Sequence, residues 1–317
     1  MKKAIRDGVN VVVWAFLEMS STLSTLDFSC IQDLITEMDS IGYNDTVHMV
    51  SLGGWNGPHF HPQFSTADDW FLEFKAQVGN IFHGIDIDFE GNDNLISSWN
   101  YFPVETLDMI GSVFELAKED GYIVSVAPAQ SYLDIHSESF SLYVNLTDPK
   151  RDWHSDFHYF GKNVYGYLLA KYADLIDLVM VQFYESYSRA AMEISFHNMT
   201  PEAYLSLYNQ HLVTNKQQFY VDFEMESEVG LKGQYVELPL SKLVWGFQNG
   251  ERNNKDVKHV YFPADCVQAA YQDLVDYLME PRGFMFWVIG REGTHGLYYA
   301  KELNDILHIR SLPNQAY

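Results

Sequence analysis

Short apolar runs recur along the chain, separated by longer stretches in which apolar residues return every three or four positions. The runs cover Asn10 to Phe16, Val47 to Leu52, Gly84 to Phe89, Tyr122 to Ala127, Leu178 to Tyr184, Leu243 to Phe247 and Gly283 to Ile289. Most are continuous and rich in β-branched residues, as strands buried on both faces of a parallel sheet are. The periodic stretches predict helices over Ile31 to Ile41, Trp70 to Phe82, Pro103 to Asp120, Tyr165 to Ala173, Ala264 to Met279 and Tyr298 to Leu307. Pro103 suits a first helical turn, and Gly121 suits a stop. Strand, helix, strand, repeated in this way, means an α/β fold, and 317 residues suit one (β/α)8 barrel domain over residues 1–317. No linker, low-complexity segment or internal repeat interrupts the pattern. The longest stretches that read as irregular are Asn56 to Asp68, Ser131 to Ser155 and Glu185 to Glu237. All follow strands, on the face where barrel active sites sit. Within the last, Gln218 to Phe223 reads as an extra strand, and the acidic run Asp222 to Glu228 as a solvated rim.

One strand stands out. His83-Gly-Ile-Asp-Ile-Asp-Phe-Glu90 alternates acids with apolar residues. Alternate side chains of a strand share a face, with neighbours about 6.6 Å apart. Asp86, Asp88 and Glu90 therefore line one face, while Ile85, Ile87 and Phe89 point the other way. Burying three acids side by side is costly. Crowding also pushes their pKa values apart, so that one can stay protonated near neutrality and serve as a general acid. The alternative is an exposed edge strand with a polar wet face, which the buried-strand pattern around it opposes.

The formal net charge of -23 disfavours nucleic acid, anionic membranes and polyanionic substrates as partners. A neutral substrate fits it. No run of about 18 apolar residues occurs, so no membrane span is expected. Met1-Lys-Lys leads into a charged, polar stretch and does not read as a signal peptide. Two cysteines, Cys30 and Cys266, imply neither a metal site nor a disulfide framework, and read as buried free thiols or a single bridge.

The residues closing each strand form a coherent set. The second run ends Ser51-Leu-Gly-Gly-Trp55, where the glycines let a ligand or a neighbouring backbone approach. The third ends in Glu90, the fourth in Ala127-Pro-Ala-Gln130 followed by Tyr132, and the fifth in Gln182-Phe-Tyr184. The sixth ends in Trp245-Gly-Phe-Gln248, and the last carries Trp287. Amides, phenols and indoles suit a hydroxylated, amide-bearing neutral substrate. Few histidines or further acids converge there, so neither a metal nor a cofactor is expected.

These residues resemble the glycoside hydrolase family 18 chitinases. The family signature Asp-Gly-x-Asp-x-Asp-x-Glu stands here as His83 to Glu90, its Ser-x-Gly-Gly motif as Ser51 to Gly54, its tyrosine motif as Gln182 to Tyr184, and its late tryptophan as Trp287. The resemblance runs the length of the chain, in the family's order. His83 departs from the signature's aspartate, at the position farthest from Glu90. The carboxylate motif belongs to the family's fourth strand but lies in the third run here. The seven runs then correspond to strands 2 to 8, and the expected TIM (β/α)8 barrel is incomplete at the N-terminus. Alternatively, Gln218 to Phe223 supplies an eighth strand.

The resemblance implies retaining, substrate-assisted hydrolysis of β-1,4 bonds beside N-acetylglucosamine in chitin or chitooligosaccharides, by a secreted monomer. Glu90 would be the acid and base, Asp88 the partner of the substrate's acetamido N–H, and Asp86 its proton-sharing neighbour. Tyr184 would bond the acetamido oxygen with support from Gln182, and Trp287 would form the sugar's floor. Trp55, Gln130, Tyr132 and Gln248 would line the groove. Two other readings stay open: an endo-acting hydrolase of N-glycan cores, and a non-catalytic sugar-binding protein on the same fold.

Overall fold

The computed structural model describes residues 1–19, 26–55, 57–78, 80–90, 99–145, 162–185, 188–249 and 260–309. The chain opens with α1 (Lys2–Arg6), β1 (Val11–Leu17), α2 (Phe28–Ser40), β2 (Val47–Gly53), α3 (Ala67–Val78) and β3 (Gly84–Asp88). It continues through β4 (Trp99–Tyr101), α4 (Val104–Glu119), β5 (Ile123–Val126), β6 (Tyr143–Asn145), α5 (Val164–Tyr172) and β7 (Leu178–Gln182). Then come α6 (Arg189–Ser195), α7 (Pro201–Thr214), β8 (Gln218–Val221), β9 (Gln234–Glu237), β10 (Leu243–Gln248), α8 (Ala264–Val275), β11 (Gly283–Trp287) and α9 (Tyr299–Leu307). No helix among the described residues is long and apolar enough to cross a membrane.

All seven predicted runs become strands of one parallel sheet, in the order β1-β2-β3-β5-β7-β10-β11. It is an incomplete (β/α)8 barrel, in which β1 pairs with β2 and β11 with β10, but not with each other. The two edges meet through side chains. Phe16 stacks on Trp287 at 5.5 Å between ring centroids, and Lys3 Nζ lies 3.9 Å over the Tyr298 ring. Inside the curled sheet a cavity of about 670 Å³ runs from Asn10 and Arg282, where the strands begin, to Asp88 and Trp287, where they end. Outward-facing residues such as Leu52, Ile85, Ile87 and Val124 join the helices in the main apolar cluster. A smaller cluster of Ala127, Met180 and Val244 packs inside.

The six predicted helices form within a few residues of their expected limits, but Glu185 to Glu237 is not irregular. It holds α6, α7 and the antiparallel pair β8–β9. Gln218 to Val221 is thus a strand, but it pairs outside the barrel and is not an eighth barrel strand. Asp222 to Glu228 forms short 3-10 turns in which Glu224 and Glu228 are exposed, a solvated rim. Ser131 to Ser155 also gains structure, since β6 pairs with β4, while its residues from 146 onward lie outside the described ones. Both cysteines are free, but Cys30 is exposed and Cys266 half-buried, so neither is a core thiol.

At the entry end of the sheet, the imidazole of His48 is buried, and its Nδ1 accepts from Trp14 Nε1–H at 3.3 Å. Burial first, then the charge of His83, lower its pKa to about 4, against an opposing pull from Asp39. A histidine depressed in the folded state adds stability that is complete above the unfolded pKa of about 6.5 and is lost as pH falls towards 4. The urea midpoint should therefore fall less steeply between pH 6.5 and 4 in His48→Gln than in the wild type. Equal slopes would exonerate His48.

Candidate functional site

Asp86 and Asp88 lie where the alternation put them, facing the cavity, while Ile85, Ile87 and Phe89 face the helices. Glu90 follows two residues past the end of β3, half-buried in the field of Asp88 and Glu185 and outside the lining of that cavity. In register with Asp86 stand Ser51 of β2 and Ser125 of β5. Both hydroxyls donate to it, at 2.7 Å and 2.6 Å. Asp88 accepts from the Gln182 amide at 2.9 Å, and the same amide reaches the Ala127 carbonyl at 2.7 Å. Gln182 thus engages Asp88 directly, a different partnership from the expected support of Tyr184.

Gly53 and Gly54 serve the packing of strand ends. A Cβ on Gly53, whose φ is +105°, would stand 2.5 Å from the Asp88 carbonyl oxygen. One on Gly54 would stand 2.8 Å from the Phe16 ring that carries Trp287. The neighbouring backbone, one of the two occupants considered from sequence, is what Gly53 admits, whereas Gly54 admits an aromatic side chain.

Electrostatics separate the acids. Burial raises the pKa of Asp86, which its two serine bonds counter. Asp88 is pushed well above the usual range by burial and then by Asp86. Glu90 is pushed well up by burial, then by the charges of Asp88 and Glu185. The Tyr184 phenol is raised by burial and by Asp88, Glu90, Glu185 and Asp86, so it shares the field of the same acids.

Tyr184 and Trp287 line the cavity with Asp86, Asp88 and Gln182. Trp287 is 40% exposed, and Gln248 stands half-buried in register with it. Trp55, 47% exposed, follows the glycines at the exit end of β2.

Two expected groove residues are elsewhere. Gln130 is fully buried, accepts from Ala190 N–H at 3.0 Å and donates to the Tyr204 hydroxyl. Tyr132 is fully buried against Phe102, ring centroids 5.3 Å apart. Both fasten the loop after β5 to its neighbours and line no groove. His83 sits at the opposite end of β3, exposed, where its Nδ1 accepts from the His48 backbone N–H at 3.0 Å.

Glu185 was not anticipated. It is almost wholly buried, accepts from Ser131 N–H at 3.2 Å and acts on both Glu90 and Tyr184. Its place directly after Tyr184 at a strand end was the available signal. Among the described residues, no group of three or more histidines, cysteines or acids could hold a metal ion.

A family model described as glycosyl hydrolases family 18 matches residues 2–287. The chain belongs to this family. Family 18 membership accounts for the parallel barrel and the place of its acids at a strand end. A search of curated protein sequences finds no match. Among solved structures, the chain is similar to a fungal family 18 endo-β-N-acetylglucosaminidase, at 14% identity and a TM-score of 0.57, with 94% of this chain and 87% of that one covered. It is also similar to a family 18 chitinase from Crocus vernus, at 17% identity and a TM-score of 0.57, covering 95% and 90%. A third likeness is to the xylanase–α-amylase inhibitor protein XAIP-I, at 15% identity and a TM-score of 0.52, covering 90% and 86%. Identities this low establish a shared fold.

Proposed function

We propose that this family 18 chain is a retaining glycosidase that cleaves β-1,4 bonds beside N-acetylglucosamine in chitin or chitooligosaccharides. The observation that carries the reading is a graded row of acids, with Asp86 pinned by two serines, Asp88 held by Gln182, and the proton on Glu90 favoured by burial and by Asp88 and Glu185. Glu90 donates its proton to the glycosidic oxygen as the bond to the anomeric carbon breaks. The carbonyl oxygen of the sugar's own 2-acetamido group attacks that carbon from the opposite face, giving a cyclic oxazolinium-type ion, the substrate-assisted variant of glycoside hydrolysis. Asp88 accepts from the acetamido N–H and offsets the positive charge that develops. Asp86 shares a proton with Asp88. The Tyr184 hydroxyl donates to the acetamido oxygen, and the exposed face of Trp287 stacks on the sugar ring. Glu90, now a carboxylate, takes a proton from water as its oxygen adds to the anomeric carbon, the ring's bond from that carbon to the acetamido oxygen breaks to regenerate the 2-acetamido group, and configuration is retained by the two inversions.

The deciding experiment is a mass-spectrometric digest of N-acetylglucosamine tetramer and pentamer, with NMR of the first product. Shortened oligomers released in the β configuration are expected, and an initial α product would overturn the mechanism. Since no described cluster could hold a metal, EDTA should leave the rate unchanged, and loss of activity in EDTA would revive a metal-dependent reading. Release of glycans from an N-glycoprotein with intact oligomers would favour the endo-β-N-acetylglucosaminidase reading. Tight oligomer binding without turnover would favour a lectin. An extracellular setting and action as a monomer remain part of this proposal.

A further inference from the structure

The sheet ladder stops short of Glu90. Its last bond to this strand from β5 is Ala127 N–H to the Ile87 carbonyl, at 2.9 Å, and β3 ends at Asp88. Three contacts then hold the next three residues in turn. Gly54 N–H donates to the Asp88 carbonyl at 2.8 Å. Phe89 N–H donates to the Tyr165 hydroxyl oxygen at 2.6 Å. The Glu90 carbonyl lies 3.3 Å from His59 Nε2.

Both side chains are fixed. His59 is 5% exposed, edge-on to Phe89 at 4.3 Å between centroids and stacked on Phe102 at 5.7 Å. Its neighbour Phe60 is anchored twice, by its carbonyl to Thr106 Oγ1 of α4 at 3.0 Å and by its ring to Trp70 of α3 at 5.0 Å. Tyr165 is 1% exposed in the first turn of α5, and its hydroxyl also lies 3.4 Å from the Ile87 carbonyl.

We infer that His59 and Tyr165 are positioning residues for Glu90, a two-point clamp that replaces the missing ladder bonds and fixes the backbone from which the acid projects. The inference rests on Glu90 being the proposed acid. Neither clamp residue is assigned a contact with substrate; both act through the backbone of Phe89 and Glu90. A carboxyl two residues past the end of a ladder would otherwise sample a range of positions, and a misplacement of about 1 Å can cost as much as 10²-fold in rate. To donate to the carbonyl, His59 must carry a proton on Nε2.

The test compares His59→Phe, which keeps a packed ring without the donor, with His59→Gln, whose amide restores a donor at similar reach. Tyr165→Phe removes a single oxygen and keeps the core intact. On N-acetylglucosamine pentamer, His59→Phe and Tyr165→Phe should each lower kcat about tenfold with KM within about twofold, and His59→Gln should recover most of the loss. Wild-type kcat in both phenylalanine variants, a defect in KM alone, or no recovery with glutamine would overturn the clamp. A second readout does not depend on turnover. The Glu90 carboxyl, titrated by NMR, should move towards the ordinary glutamate range in His59→Phe, because a released strand end lets it leave the crowded acids. An unchanged titration overturns the clamp even if the wild type proves not to cleave the oligomer, whereas a shifted titration without wild-type cleavage would refute only the glycosidase reading.

Discussion

Glu90→Gln is expected to lower turnover of N-acetylglucosamine oligomers at least about 10³-fold while leaving their affinity within a few-fold of wild type. Glutamine keeps the shape and one acceptor of the side chain but has no proton to give the leaving oxygen and no carboxylate to activate water, so both halves of the reaction fail. Binding should survive because, in the proposed mechanism, the sugar would rest on Trp287 and on contacts with Asp88 and Tyr184, which the substitution does not touch. The pH profile sharpens the expectation. Burial and the charges of Asp88 and Glu185 hold the Glu90 proton well above the ordinary glutamate range. The alkaline limb of kcat/KM should accordingly lie above that range in the wild type and disappear from the residual rate of the variant. Retention of more than about a tenth of the rate would exclude Glu90 as the acid.

The strand framework was legible because strands covered on both faces leave continuous β-branched runs, and the acids were legible because alternation is a property of the backbone alone. What stayed hidden depends on tertiary context. The helix α7 carries Tyr204, Leu205, Tyr208 and Leu212 together with Ser206 and Asn209, all buried, so no single apolar stripe marks it. Asn209 reads as a surface residue yet bonds the Trp245 indole at 3.0 Å and the Met279 carbonyl at 2.6 Å. The start of α7 was nonetheless readable, since Thr200 caps it and Pro201 opens its first turn. Gln130 and Tyr132 were misassigned for a related reason. Past the end of a strand, side chains no longer alternate by rule, and only the arrival of α6 and α7 turns Gln130 inward. The same limit concealed Glu185, His59 and Tyr165, whose relation to Glu90 is spatial. In His59 and Tyr165 the separation along the chain is 31 and 75 residues from Glu90.

Asp88→Asn should move activity and stability in opposite directions. Catalysis should lose the carboxylate proposed to hold the acetamido N–H and offset the developing charge, a loss of about 10²–10³-fold by analogy with removing one preorganised electrostatic group. Stability should rise. The Asp88 pKa is raised in the folded state by burial and by Asp86, against the opposing bond from Gln182. A raised carboxyl pKa penalises the folded state above the unfolded value near 3.9, with the full penalty reached once pH exceeds the folded pKa. Below the unfolded value both states hold the proton, and the penalty vanishes. Asparagine is neutral throughout, and its side-chain oxygen can still accept from Gln182. The variant should therefore melt on the order of 2 °C or more above the wild type at pH 7, and the gap should close as pH falls towards 3.5. Taking the difference between variant and wild type at each pH cancels the opposite trend contributed by His48. A variant that melts below the wild type at neutral pH would mean that Asp88 is a net stabiliser of the strand end, and the crowding that is proposed to keep Glu90 protonated would lose its principal charged source.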